Sequence, residues 1–76
     1  MNELDKSIED FNQAITLDSK NPIIYSNRGL VNRKLEKYVE AIKDYTLEIE
    51  NSPLTDDGVV QNIKAFNNRA YCLAKI

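Results

Sequence analysis

Apolar residues recur along this chain at steps of three and four, the spacing that gathers side chains on one side of an α-helix. Leu4, Ile8, Phe11 and Ile15 form a first stripe within a segment running from Asn2 to Asp18. Tyr25, Leu30 and Leu35 lie on or near one face of a second segment, Pro22 to Leu35, in which Gly29 leaves a gap. Glu36-Lys37 interrupts the pattern. Tyr38, Ala41, Ile42, Tyr45 and Ile49 then mark a third stripe that closes before Pro53, and Val59, Ile63 and Phe66 begin a fourth. Four amphipathic helices are predicted.

The helix boundaries follow from local chemistry. Asn21 is suited to cap the second helix, and Pro22 suits its first turn, where a missing N–H costs nothing. Thr55 or Asp56 is placed to cap the last helix, which is therefore expected to start near Asp56 and to run to Ile76. Gly58 opposes that early start, because a glycine inside a helix costs about 1 kcal/mol relative to alanine.

The stripes also repeat. Leu4 to Ser19 matches Tyr38 to Pro53 in character, with Ile8 answering to Ile42, Asp10 to Asp44, Phe11 to Tyr45 and Ile15 to Ile49, each 34 residues on. Tyr25 to Leu35 returns as Phe66 to Ile76, where Asn27-Arg28-Gly29 becomes Asn68-Arg69-Ala70 at an offset of 41 residues, so the second junction is longer. A fixed period of this size is the mark of a stacked-repeat architecture.

A two-helix unit of this period, with Tyr25, Gly29, Ala41, Tyr45 and Pro53 at its aromatic, small and closing positions, resembles the tetratricopeptide repeat (TPR) family. Gly29 and Ala41 are expected to face each other and let two helix backbones approach, while the aromatics fill the space beside them. The resemblance implies an all-α fold, a short right-handed α-solenoid of four helices built from antiparallel helix-turn-helix repeats. It divides the chain into the second helix of an incomplete repeat (1–19), a complete repeat (20–53), and an insertion with the first helix of a third repeat (54–76). Ser7, Ser19 and Glu48 stand where the family more often has alanine, proline and alanine, which loosens the packing. The chain thus starts and stops within repeats. That leads us to expect either a fragment of a longer array or head-to-tail self-association between the open ends.

Composition narrows the class further. A chain of 76 residues makes one small domain, and the absence of a long apolar run leaves no membrane span. The acidic start, MNELDKSIEDF, is unlike a secretion signal, and the single cysteine, Cys72, has no internal disulfide partner. A reducing, cytoplasmic setting is expected. With no histidine, no phosphate loop, no metal-ligand cluster and carboxylates read as lying on solvated faces, the chain is not expected to be an enzyme or to carry a cofactor.

Charge is the most informative functional signal. The segments 22–35 and 63–76 contain Arg28, Arg33, Lys34, Lys64, Arg69 and Lys75 and no acidic residue. The segments 4–18 and 38–51 carry Asp5, Glu9, Asp10, Asp18, Glu40, Asp44, Glu48 and Glu50 against Lys6 and Lys43. A net charge of −2 conceals this asymmetry. In TPR arrays the first helix of each repeat lines the concave groove, so the resemblance implies a basic groove on an acidic body, a protein-interaction module or scaffold that binds an acidic peptide or protein. Asn27, Leu30, Arg33, Lys34, Lys64, Asn68, Tyr71 and Lys75 are the groove candidates.

Arg28 and Arg69 fit a structural role better. Arg28 is expected to pair with Asp10 or Asp44, and Arg69 with Asp44. The other aromatics and Cys72 are expected in the core. Some chaperone-binding TPR domains clamp a terminal carboxylate with an asparagine, a lysine and an arginine. Asn27 and Lys64 match the first two, but Asn68 stands at the arginine position, so the clamp is incomplete. A purely structural place in a larger TPR assembly, or single-stranded RNA binding, are the alternatives; the pI near 5 opposes RNA.

Overall fold

The computed structural model describes residues 3–53 and 55–76. It contains four helices: α1 (Glu3–Leu17), α2 (Pro22–Lys34), α3 (Tyr38–Asn51) and α4 (Asp56–Leu73). Among the described residues there is no strand. The expected start of the first helix at Asn2 lies outside the described residues. The last helix begins at Asp56 as expected but ends at Leu73, short of Ile76.

Each boundary has a local cause. Asn21 is extended and its side-chain oxygen accepts from the Ile23 N–H at 3.0 Å, capping α2 with Pro22 in the first turn. Thr55 does the same for α4 by accepting from the Gly58 N–H at 3.2 Å. Between α2 and α3 the chain reverses through Glu36, whose φ of 61° is left-handed. There the Glu36 N–H donates to the Arg33 carbonyl and the Lys37 N–H to the Asn32 carbonyl, the paired bonds of a Schellman turn. Glycine usually takes that position, so Glu36 holds it at a steric cost of about 1–2 kcal/mol.

Gly58 has its own reason to sit in a helix. A side chain there would place its first carbon 1.9 Å from the Pro53 carbonyl oxygen, so α4 can pack this closely on the end of the preceding segment only with glycine. The cost in helix propensity is offset by that approach.

The helices pack in chain order, α1 on α2, α2 on α3 and α3 on α4, with the α2–α3 contact the most extensive. The Cα atoms span 38 × 32 × 14 Å. The short dimension matches two layers of helices at an interaxial spacing of about 8–10 Å. Tyr45, Ala41 and Cys72 form the buried centre, with Tyr38 and Ile42 packed against it. Tyr25 is buried as well, and its hydroxyl donates to the Ser19 carbonyl at 2.6 Å, tying α2 to the turn before it.

Two expectations about the core are corrected. Gly29 does not meet Ala41 first: the atoms nearest to it across the crossing belong to the Tyr45 ring and to Asp44. Phe66 is about half exposed rather than core, with the Arg69 guanidinium over its ring, and Phe11 is only partly covered. α1 contains no fully buried residue, since it packs mainly on α2.

Candidate functional site

The polar interior is organised by Asp44, which is 2% exposed. Arg28 donates to both of its carboxylate oxygens, from Nε at 2.9 and 3.1 Å and from Nη2 at 2.6 Å, and Asn32 donates to Oδ2 at 2.8 Å. The third guanidinium nitrogen of Arg28, Nη1, donates to the Asn12 side-chain oxygen on α1 at 2.8 Å. One carboxylate thereby links α1, α2 and α3. Of the two partners expected for Arg28, Asp44 is the one used. The expected pair between Arg69 and Asp44 is absent: with Arg28 and Asn32 already on Asp44, Arg69 donates to the Thr46 hydroxyl at 3.1 Å and stacks 5.0 Å from the Phe66 ring centroid. Arg28 and Arg69 are therefore structural.

Four of the groove candidates come together where the C-terminal halves of α2 and α4 adjoin. Arg33 donates to the Asn68 side-chain oxygen at 3.2 Å and lies 5.1 Å from the centre of the Tyr71 ring. The Lys75 ammonium lies 5.2 Å from the same ring. Tyr71 is about half exposed, so two cations and an aromatic surface reach solvent at one place. Lys34, Lys64 and Leu30 are exposed on the same two helices and are not drawn into this cluster. Beneath it, burial pushes the Tyr45 hydroxyl up to about 12, with Arg33 acting in the opposite direction. Burial also raises the Cys72 thiol, again against Arg33, so Cys72 is a protonated core residue rather than a nucleophile.

Asn27 lies elsewhere. It lines a cavity of about 540 Å³ formed by the first turns of α2 and α4, the end of α3 and the turn that carries Pro53. Glu48 lines the same cavity and is 3% exposed. Its Oε1 has no hydrogen-bond partner among the described residues. Burial raises its carboxyl above the usual range, and a bond from the Ser26 hydroxyl works against that rise. Together with Asp44, this corrects the expectation that the carboxylates lie on solvated faces. The face shared by α2 and α4 is thus basic at one end and acidic at the other, not uniformly basic.

Asn32 and Glu48 carry no signal in the apolar pattern. Glu48 stands out only as a departure from the alanine that the resemblance leads one to expect. For the carboxylate clamp, Asn68 is already engaged as an acceptor for Arg33, and Asn27 sits at the far end of the face from that cluster.

Antiparallel helix pairs joined by tight turns, with small residues at the crossing and a solvent-facing polar surface, define a helical-repeat protein. The TPR repeat family model matches residues 1–35, the stretch that holds α1 and α2, which supports a TPR identity. No curated protein and no solved structure matches it. TPR repeats generally mediate protein–protein interaction and are not catalytic. No described helix is long and apolar enough to cross a membrane.

Proposed function

We propose that the face shared by α2 and α4 is a groove that binds an acidic segment of a partner protein. The observation that carries this reading is the cluster of Arg33, Asn68, Tyr71 and Lys75, in which a hydrogen bond and two cation–ring contacts hold two positive groups at the surface. Lys34 and Lys64 extend the positive field along both helices, and Leu30 adds a partly exposed apolar contact. Exposed charges of this kind steer an acidic partner and set its orientation more than they add affinity. The acidic outer faces of α1 and α3 would turn the same partner away. The repeat division 1–19, 20–53 and 54–76 and a cytoplasmic setting accompany this proposal.

Neutralising Lys34 and Lys64 together, as Lys34→Ala and Lys64→Ala, is expected to weaken binding of a glutamate-rich peptide about tenfold without lowering the thermal midpoint. Fluorescence anisotropy measures the affinity. Equal binding by the double variant would remove the electrostatic argument. Raising the salt separates a protein from a nucleic-acid ligand, since affinity for single-stranded RNA falls linearly on a logarithmic scale as phosphate counterions are released.

A second reading is favoured by α4, where Val59, Val60, Ile63 and Phe66 are each about half exposed. We propose that this row meets the incompletely covered stripe of α1, including Ile8 and Phe11, on a second copy. Such a head-to-tail contact is heterologous and extends as a filament unless the rotation closes it. In sedimentation the weight-average mass is expected to rise with concentration, and Phe11→Asp is expected to abolish the rise. A chain that stays monomeric at high concentration would exclude this contact.

A further inference from the structure

The Glu48 cavity differs from the basic cluster in every chemical respect. Its walls are Pro22, Ile23 and Pro53 on the apolar side and Ser26, Asn27 and Gln61 on the polar side, and its charged groups are Glu48 and Asp57. Among the described residues that line it, none is basic. Its volume of about 540 Å³ lies in the range of sites that take small ligands or single side chains.

A buried carboxyl of this kind is unusual because, among the described residues, only the Ser26 hydroxyl meets it and no cation does. Asp44, equally buried, is met by Arg28 and Asn32. Glu48 is met by no cation among the described residues, and its Oε1, itself buried, is left without a partner in a side chain that lines the cavity. Buried carboxylates are ordinarily paired.

We propose that this cavity receives the side chain of a lysine presented by a partner protein, with Glu48 as the counter-ion of its ammonium group. The ammonium has three donors and no acceptor, which suits a site whose polar groups include Glu48 Oε1, the Ser26 hydroxyl and the amide oxygens of Asn27 and Gln61. The methylene stem is matched by Pro22, Ile23 and Pro53, as lysine lays its stem along apolar surface while its head stays polar. In a cavity with apolar walls the attraction between ammonium and carboxylate is much stronger than at an open surface.

An anion is the competing occupant, because two helices begin at the rim. One free amide of each is, however, already capped: Asn21 accepts from Ile23 and Thr55 from Gly58. Asp56 and Asp57 add negative charge in the first turn of α4, so an anion would approach like charges.

Placed at the opposite end of the same face from Arg33 and Lys75, the cavity gives the groove a polarity. It selects a partner segment that carries a lysine at one end and acidic residues at the other. The partner's identity as a protein rests on the groove reading above; the ammonium chemistry does not.

The test titrates the isotope-labelled protein with N-acetyl-lysine methylamide and follows its backbone amides by NMR. N-acetyl-norleucine methylamide, which keeps the stem and lacks the charge, and N-acetyl-glutamate methylamide serve as comparisons. Saturating shifts at Ser26, Asn27, Gly58 and Gln61 with the lysine probe, at least tenfold weaker with norleucine and with Glu48→Gln, are expected. Equal response to norleucine, a stronger response to glutamate, or no response to lysine would overturn the proposal. The norleucine arm uses the unaltered protein and so does not depend on the variant folding. A separate arm with a lysine-free glutamate peptide reports on the basic end alone, so failure of the cavity and failure of the groove are told apart.

Discussion

Replacing Asp44 by alanine is expected to cost about 3–5 kcal/mol, because it removes the one carboxylate that neutralises Arg28 and satisfies Asn32 inside the helix layers. The loss has two parts. A partly buried guanidinium, 22% exposed, is left without its counter-charge, and the Asn32 amide loses the acceptor it uses in a fully buried position. A natural domain has about 0.05–0.15 kcal/mol of stability per residue, so for a chain this small the substitution removes much of the total. Asp44→Asn keeps the shape and one acceptor and is expected to cost less. Urea denaturation of the two variants gives the comparison. A midpoint for Asp44→Ala within experimental error of the unaltered protein would mean that the network is not a structural keystone.

Gly29→Leu is the second large effect expected. At Gly29 an added Cβ would stand 3.0 Å from Tyr45 Cε1 and 3.2 Å from Asp44 Cβ, both on the rigid, buried face of α3. Alanine asks its neighbours to move by a few tenths of an ångström and in return gains about 1 kcal/mol of helix propensity over glycine, so Gly29→Ala should change stability little. Leucine adds three further carbons in the same direction. Overpacking of that kind costs about 1–3 kcal/mol, after the gain in propensity is set against it. The contrast between the two variants isolates crowding from propensity. Thermal denaturation should show a clear drop for leucine only; equal midpoints would contradict the close crossing of α2 and α3.

Much of this fold was legible in the chain, and what was legible shares one physical basis. The apolar stripe Tyr38, Ala41, Ile42, Tyr45 and Ile49 marks α3 because burial of those side chains is what fixes that helix, and Asn21-Pro22 and Thr55 mark the starts of α2 and α4 because caps are local chemistry. The Thr55 cap marks the early start of α4 despite Gly58, whose close approach to Pro53 is a tertiary contact that no propensity contains.

The polar interior was harder to read. Asp44 and Glu48 lie three and seven residues beyond Ala41 on α3, at helical spacing for the buried face, yet a carboxylate there reads as a surface residue until its partner is known. Arg28 offered two equivalent acids by the repeat, and only packing selects Asp44. Arg69 was assigned the same acid by analogy with Arg28, but one carboxylate already held by an arginine and an asparagine leaves it for Thr46. Phe66 falls at core spacing yet is half exposed, because helical spacing identifies a face without saying whether a neighbour covers it.

The candidate site divides along the same line. That Arg33, Asn68, Tyr71 and Lys75 share one surface follows from the repeat register, since the first three fall on corresponding helices and Lys75 lies just past the end of α4. That the face changes sign along its length does not, because Glu48 belongs to α3 and reaches the cavity from behind.

The most direct test of the groove is to map an unlabelled glutamate-rich peptide onto the isotope-labelled protein by NMR. Binding in the groove predicts amide shifts at Arg33, Lys34, Lys64, Asn68, Tyr71 and Lys75, with Glu40, Lys43 and Glu50 on α3 unmoved. Shifts confined to α1 and α3, or a peptide that produces none at millimolar concentration, would contradict it.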